Sequence, residues 1–182
     1  MTMVPSPFDG TPRPRLGLLG VQQHAVEYAV APSSPPAHTP ATVLGMSRSD
    51  SAVHLVRTGA LTDTAPYAYA ATTDAGARLV FAAGACPLDD TGATVAPGDI
   101  AAQARQCVAN LLTALDAAGA RIEDVAYTRV LVATTVREDL VTAWTVVHDA
   151  FGEHEVPSTL HGVTVLGYPD QLVEIEAVAA LR

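Results

Sequence analysis

Two glutamates near the C-terminus, Glu174 and Glu176, are the residues best suited to chemistry in this sequence. They lie in "QLVEIEAVA" (171–179), whose alternation of apolar and polar residues predicts a strand. Residues two apart in a strand share a face, so the carboxylates are expected to lie close together. Such a pair suits proton transfer. The alternative is that one glutamate is solvated, or is paired with Arg129 or Arg182 across a subunit contact.

A second polar set lies in the preceding predicted strand, "TLHGVTVL" (159–166), which follows a proline turn. Thr159, His161 and Val163 are predicted to point to one face of this strand. A protonated His161 would act as a weak anion site or as a general acid. The alternative is a neutral histidine that is hydrogen-bonded at a subunit boundary.

The cysteines and the missing lysines narrow the possible chemistry. Cys86 and Cys107 are the only two cysteines, and their spacing fits no zinc motif, so we expect reduced thiols and no metal site. All ten basic residues are arginines, which excludes a Schiff-base lysine and a phosphate-loop lysine. We therefore expect no cofactor.

The net charge limits the possible partners. The chain has 19 acidic and 10 basic residues, a formal net charge of −9, which opposes binding to nucleic acid. No apolar run approaches the roughly 18 residues that a membrane span needs, and no signal peptide is recognisable. These features predict a cytoplasmic protein that binds neither nucleic acid nor membrane.

The chain divides into two parts by composition. Residues 1–50 are rich in Pro, Ser and Thr and lack a hydrophobic period, so we predict a disordered N-terminal arm. Met46 is an alternative start, in which case the arm does not belong to the native protein. Residues 51–182 are predicted to form one folded domain.

The predicted domain has the order strand, strand, strand, helix, strand, helix, strand, strand. A helical period begins near Gly98, with Gly119 at its C-terminal end, and Thr135 and Glu138 are spaced as a capping box for the second helix. This βββαβαββ order predicts an α+β fold with one mixed sheet backed by two helices. The other face of the sheet stays apolar and uncovered, which predicts a homo-oligomer. The predicted strands cover residues 53–57, 67–72, 77–85, 125–134, 159–166 and 171–179.

Residues 53–182 resemble the Rid family (YjgF/RidA, reactive-intermediate deaminases, also called endoribonuclease L-PSP). The resemblance rests on five segments in the same order as in the family. They are "APYAYA" (65–70), "FAAGACPLDDTG" (81–92), the helix from residue 98 with Gln103 and Asn110 in register, "VPS" (156–158) and "LVEIEAVA" (172–179). The resemblance implies a chorismate-mutase-like fold and a homotrimer with clefts between subunits. It also implies hydrolysis of enamines or imines, such as 2-iminoacids, to the keto compound and ammonia.

The family's site residues carry over only in part. The resemblance implies that Glu174 holds the attacking water, that Gly84 offers backbone hydrogen bonding, and that Tyr67 lines the cleft. Cys86 lies near this glycine, where it is expected to line the cleft wall.

The family's carboxylate-binding arginine is missing, because its position is occupied by Thr159. A bidentate arginine–carboxylate contact is charge-assisted, and a threonine hydroxyl does not replace it. The sequence therefore predicts a hydrolase for a small imine or enamine other than a standard 2-iminoacid, with Thr159 and His161 contacting the substrate in an intersubunit cleft. The alternative is a trimer that binds a small ligand, or serves as a scaffold, without turnover. A ribonuclease activity is opposed by the acidic charge.

Overall fold

The structure, a computed structural model, describes residues 50–182, and the predictions for residues 1–49 lie outside this range. The described chain follows the predicted order of six strands and two helices, with one short 3-10 helix, Ile122–Asp124, before the fourth strand. The strands are β1 (Val53–Val56), β2 (Ala70–Thr73), β3 (Arg78–Phe81), β4 (Val125–Ala133), β5 (Ser158–Val163) and β6 (Val173–Leu181); the helices are α1 (Ile100–Ala117) and α2 (Arg137–Phe151).

The strands form a mixed four-stranded sheet in the order β3-β6-β4-β5 and a separate two-stranded antiparallel sheet of β1 and β2. β6 is antiparallel to both of its neighbours, whereas β4 and β5 are parallel. Parallel neighbours need a long crossover connection, which α2 provides. The predicted α+β fold with two helices and a mixed sheet is confirmed. The difference is that β1 and β2 pair only with each other.

The hydrophobic core lies between the helices and one face of the four-stranded sheet. Alternate residues of β6 point into it, as the period of a strand requires. Each fully buried aliphatic side chain of this kind contributes about 1.5–3 kcal/mol relative to an exposed one. Large core side chains from both layers include Leu111, Leu115, Val130, Val132, Val147, Phe151, Val173 and Ile175.

Helix α1 begins and ends at recognisable caps. Asp99 is the N-cap, and its carboxylate accepts a hydrogen bond of 2.9 Å from the Ala102 amide. At the other end Gly119 has a φ of +77°, and the Ala120 amide donates to the Leu115 carbonyl. This is the left-handed C-terminal stop that was predicted for Gly119.

The predicted capping box of α2 is wrong. The helix begins at Arg137 after Val136, which makes no side-chain cap. Thr134 holds the start of the helix instead. Its hydroxyl donates to Asp139 Oδ2 at 2.6 Å and accepts from the Val136 amide at 3.0 Å. The chain already turns at Thr134, where its amide donates to the Val132 carbonyl, so Thr134 fixes the entry to the helix from two residues before the N-cap position.

Among residues 50–182, little covers the second face of the four-stranded sheet, which is open over most of its area. The two-stranded sheet packs only on its far end, around Ala126 and Ala180. Phe81 remains 74% exposed and Leu79 48% exposed. This surface is called the open face below, and it also carries Tyr127, Arg129, Leu131, Thr159, His161, Glu174, Glu176 and Val178. No helix within residues 50–182 is long and apolar enough to cross a membrane.

Candidate functional site

Glu174 occupies the open face of β6, and one of its carboxylate oxygens is held by two side chains. Gln171 Nε2 donates to Oε2 at 3.0 Å, and the Cys86 thiol lies 3.5 Å from the same oxygen. Gln171 is itself buried and fixed, because its Oε1 accepts from the Tyr168 amide at 3.0 Å. The second oxygen, Oε1, is directed toward Gly84.

Gly84 has no side chain, and this absence leaves room for the Glu174 carboxylate. A Cβ atom at position 84 would lie 2.1 Å from Glu174 Oε1 and 2.6 Å from its Cδ. The chain is also irregular here: Ala82 bonds Ala177 and Ala85 pairs with Ile175, so two residues on one side oppose one on the other. Such a bulge re-aims the backbone beside a site.

The Cys86 thiol is a hydrogen-bond donor rather than a nucleophile. Burial, followed by the negative charge and hydrogen bond of Glu174, raises the pKa of Cys86 to about 11. At neutral pH the sulfur therefore keeps its proton, and the thiolate that nucleophilic chemistry needs is absent. Cys107 is buried in the core, and burial raises its pKa as well.

Two amide side chains of α1 hold the loops that position these residues. Asn110 Nδ2 donates to the Cys86 carbonyl at 2.8 Å and to the Leu88 carbonyl at 2.9 Å. Gln103 is fully buried; it donates to the Asp170 carbonyl at 2.9 Å and accepts from the Leu172 amide at 2.7 Å. The sequence placed both in register with a family helix, but their contacts were not predicted.

Thr159 is bonded to a tyrosine that the sequence analysis did not select. Its hydroxyl lies 2.7 Å from the Tyr127 hydroxyl, which extends from the neighbouring strand β4. Because alternate residues of a strand share a face, the sequence places Tyr127 and Arg129 on one face of β4. It does not show that β4 pairs with β5, so the contact between Tyr127 and Thr159 could not be predicted.

Arg129 fills the position between Thr159 and Glu176. It pairs with Thr159 on β5 and with Glu176 on β6, so the three residues form one row across the open face. Its NH1 atom donates to Glu176 Oε2 at 2.6 Å. The predicted pairing of Glu176 with Arg129 is therefore present, but within one chain and not across a subunit contact.

His161 lies in the next row, with Leu131 between it and Glu174. It is exposed, and its imidazole makes no hydrogen bond to another residue in the range 50–182. Thr159 and His161 both lie two strand spacings from β6, about 10 Å across the sheet. Within one chain they share a face with Glu174 but do not contact it.

Tyr67 lies elsewhere in the chain. Its ring packs edge-on against Trp144 of α2, with centroids 6.3 Å apart, and against Tyr69 at 6.2 Å. Trp144 is only partly buried at this contact. A cleft role for Tyr67 therefore requires a second copy of the chain.

A groove of about 330 Å³ lies on the open face beside the bulge. Gly84, Tyr127, Arg129 and Glu176 all line it. With Glu174 at its edge, the site carries two carboxylates and one guanidinium. Within residues 50–182, no three histidine, cysteine or carboxylate side chains are grouped as a metal site.

Comparison with known proteins gives consistent matches. A family model described as endoribonuclease L-PSP matches residues 58–181, which include every described element except β1. A search of curated proteins gave no match.

Solved structures extend this similarity. YyfB of Yersinia pestis, described as belonging to the conserved Rid protein family, is 27% identical, with a TM-score of 0.67 over 71% of this chain and 99% of that one. The YjgF gene product of E. coli is 31% identical, with a TM-score of 0.50 over 65% of this chain and 91% of that one. TdcF of E. coli, solved with bound serine, is 30% identical, with a TM-score of 0.50 over 65% and 90%.

Proposed function

Because the chain belongs to the endoribonuclease L-PSP family, which includes the YjgF and Rid proteins, we propose that it hydrolyses a small imine or enamine to a carbonyl compound and ammonia. The observation that carries the proposal is the Glu174 carboxylate. One of its oxygens is held by Gln171 and Cys86, and the other points to Gly84 beside an open groove.

The proposed reaction needs one carboxylate and one water molecule. Glu174 Oε1 accepts a proton from the water as its oxygen bonds to the imine carbon, and the C=N double bond becomes a single bond. The imine nitrogen takes up this proton, which gives a carbinolamine. The carbinolamine hydroxyl then gives up its proton, which passes to nitrogen through the Glu174 carboxylate; the C–N bond breaks, and ammonia leaves as the C=O bond forms. An enamine first takes a proton on carbon to become the imine. The backbone beside Gly84, where no side chain intervenes, is the proposed contact for the substrate.

The substrate is not anchored by a charge at position 159. Hydrogen bonds to a charged group contribute about 1.5–3 kcal/mol, which corresponds to about 10- to 100-fold in affinity. Thr159 offers a neutral hydroxyl that is already bonded to Tyr127. A standard 2-iminoacid is therefore a poor substrate, and Thr159 and His161 are proposed as substrate contacts at the far side of the cleft.

The reactive cleft is proposed to lie between copies of the chain. The exposed apolar residues of the open face need a cover, and a homotrimer would supply it. A neighbouring copy would also bring Tyr67, which packs away from the groove in its own chain. The cytoplasmic location remains a prediction.

The test is an imine-release assay with two sources. A flavin amine oxidase acting on benzylamine supplies a neutral imine, and an amino-acid oxidase acting on 2-aminobutyrate supplies 2-iminobutyrate; semicarbazide traps what is not hydrolysed. We expect the protein to accelerate loss of the neutral imine, and Glu174→Gln to reduce this acceleration about 100-fold, since proton transfer by a positioned side chain contributes about 10²- to 10⁴-fold.

Glu153→Gln, at an exposed position after α2, is the matched control and should leave the rate unchanged. Equal rates for wild type and Glu174→Gln would contradict the proposal. If the protein accelerates the hydrolysis of 2-iminobutyrate as strongly as an arginine-bearing relative does, the proposed substrate preference is contradicted.

A second candidate is a trimer that binds a small ligand without turnover. It is favoured by the neutral residue at position 159 and by the relative TdcF, which was solved with bound serine. Ligand binding in the groove without acceleration of either imine would identify this function. Ribonuclease activity remains opposed by the net charge of −9.

A further inference from the structure

The ion pair of Arg129 and Glu176 lies inside the groove that Gly84 lines. Arg129 is on β4, which lies between β5 and β6. Its backbone is therefore one strand nearer to the strand of Glu174 than position 159 is. The groove thus contains a cation, Arg129, and its charge is already balanced by Glu176.

The pair is joined by a single contact. Arg129 NH1 donates to Glu176 Oε2 at 2.6 Å, and within residues 50–182 the guanidinium makes no other hydrogen bond. Arginine has five N–H donors and a carboxylate has two acceptor oxygens. The side chains are 44% and 38% exposed, so both reach the groove. Donor and acceptor atoms are therefore presented side by side.

The charges in the groove favour a neutral ligand at the Arg129–Glu176 pair. Glu176 compensates Arg129, and Glu174 on the same face adds an uncompensated negative charge. A substrate carboxylate would meet one positive and two negative groups. A primary carboxamide complements the Arg129–Glu176 pair without adding charge. Its C=O accepts a hydrogen bond from the arginine, while its N–H donates one to the glutamate.

We infer that the Arg129–Glu176 pair selects an imine or enamine that carries a neutral carboxamide and rejects one that carries a carboxylate, with Glu176 as the specificity-determining residue. The inference rests on the proposed function, since it assigns the substrate class of the same groove. A purely structural cross-strand pair would stabilise the sheet but would not distinguish the two ligands.

The test compares two product-like ligands, 2-oxobutanamide and 2-oxobutanoate, which differ only in the amide and the carboxylate. Binding to the full-length protein is measured by calorimetry. We expect wild type to bind the amide about tenfold more tightly. Glu176→Gln should reverse the order, because Arg129 then lacks its counter-ion and forms a charge-assisted contact with the carboxylate. Arg129→Gln should weaken both ligands.

Glu155→Gln is the matched control, because Glu155 pairs with Arg57 at similar exposure outside the groove. It should leave the amide-to-carboxylate ratio unchanged, and circular dichroism checks that each variant is folded. Wild type binding the carboxylate as tightly as the amide would overturn the inference, as would an unchanged ratio in Glu176→Gln.

The two proposals fail in different ways. Glu174-dependent hydrolysis without amide selectivity would overturn the inference and leave the hydrolase intact. Amide selectivity that responds to Glu176→Gln, without hydrolysis of any imine, would support the pair's role and overturn the hydrolase.

Discussion

At the scale of single residues, the row of Thr159, Arg129 and Glu176 determines the charge that a ligand meets. The threonine contributes no charge, and the arginine is compensated by the glutamate. The groove therefore lacks an available cation even though a guanidinium lines it.

Thr159→Arg is expected to change this balance. The new guanidinium would face Arg129 across the strand pair, at a cost to stability of less than about 1 kcal/mol, because like charges that lie directly opposite are unfavourable. It would add one uncompensated positive charge to the row. We expect hydrolysis of 2-iminobutyrate to rise about 10- to 100-fold, measured in the imine-release assay. Thr145→Arg on α2 is the control; no gain at position 159 would show that the cleft has diverged further.

The thiol of Cys86 has a predictable pH dependence. Its pKa is raised to about 11, so the reactive thiolate is scarce at pH 8 and increases as the pH rises toward 11. The protein is treated with short pulses of iodoacetamide, and mass spectrometry measures the alkylation of Cys86. At pH 8 this alkylation should be much slower than that of a free cysteine of ordinary pKa. Glu174→Gln removes the negative charge that helps to raise the pKa, so it should speed alkylation. Rapid modification of wild type at pH 8 would contradict this assignment.

At the scale of elements, α1 is the support of the site. Gln103 and Asn110 reach from the helix to the loop before β6 and to the loop after Gly84, respectively. Neither side chain contacts Glu174, yet both fix the backbone of residues that hold it.

Gln103→Leu should therefore destabilise the fold and disturb the site. It leaves the Leu172 amide and the Asp170 carbonyl without their partner, and each unpaired buried group costs about 1–3 kcal/mol. We expect the free energy of unfolding in urea to fall by about 2–4 kcal/mol. Arg105→Leu, at an exposed position of the same helix, should change it by less than about 0.5 kcal/mol. A neutral effect of Gln103→Leu would show that the loop is held by other contacts.

The elements that the sequence predicted well are those with a strong period. The helical period predicted α1 up to its Gly119 stop, and the alternation in β6 placed Glu174 and Glu176 on one face. Boundaries were less certain: β3 ends at Phe81 because the bulge at Gly84 interrupts the predicted run. The capping box was predicted because Thr135 and Glu138 have the required spacing, but the helix begins one residue later than this pattern requires, with Val136 at the N-cap position.

The contents of the site were predictable only where a family motif marked them. Glu174 and Gly84 were selected in this way, and the structure places them in contact. Arg129 and Tyr127 were not selected for the site, because their relevance depends on which strands are neighbours. Local periodicity fixes the face on which a residue lies, but the strand order comes from tertiary packing.

At the scale of the whole molecule, the open face predicts self-association. Phe81, the last residue of β3, is 74% exposed on the open face, where it pairs with Val178 of β6. An aromatic residue in this position normally marks an interaction surface when it belongs to a larger apolar patch.

Phe81→Glu should separate the predicted trimer into monomers, because a charge at an apolar interface is costly to bury. Size-exclusion chromatography with light scattering measures the mass, and circular dichroism should show an unchanged fold. Val141→Glu, at an exposed position of α2 outside the open face, should remain trimeric. A wild-type chain that is monomeric at micromolar concentration would contradict the prediction.

The close fit between Gly84 and Glu174 also constrains how this protein can diverge. The two positions are 90 residues apart in the chain but share one volume, so position 84 stays small for as long as Glu174 keeps its present conformation. A descendant that gains a methyl group on the bulge must move the carboxylate on the facing strand away from the place it now occupies. The fold would persist while the acid is displaced, so the proposed chemistry would weaken before the backbone changes.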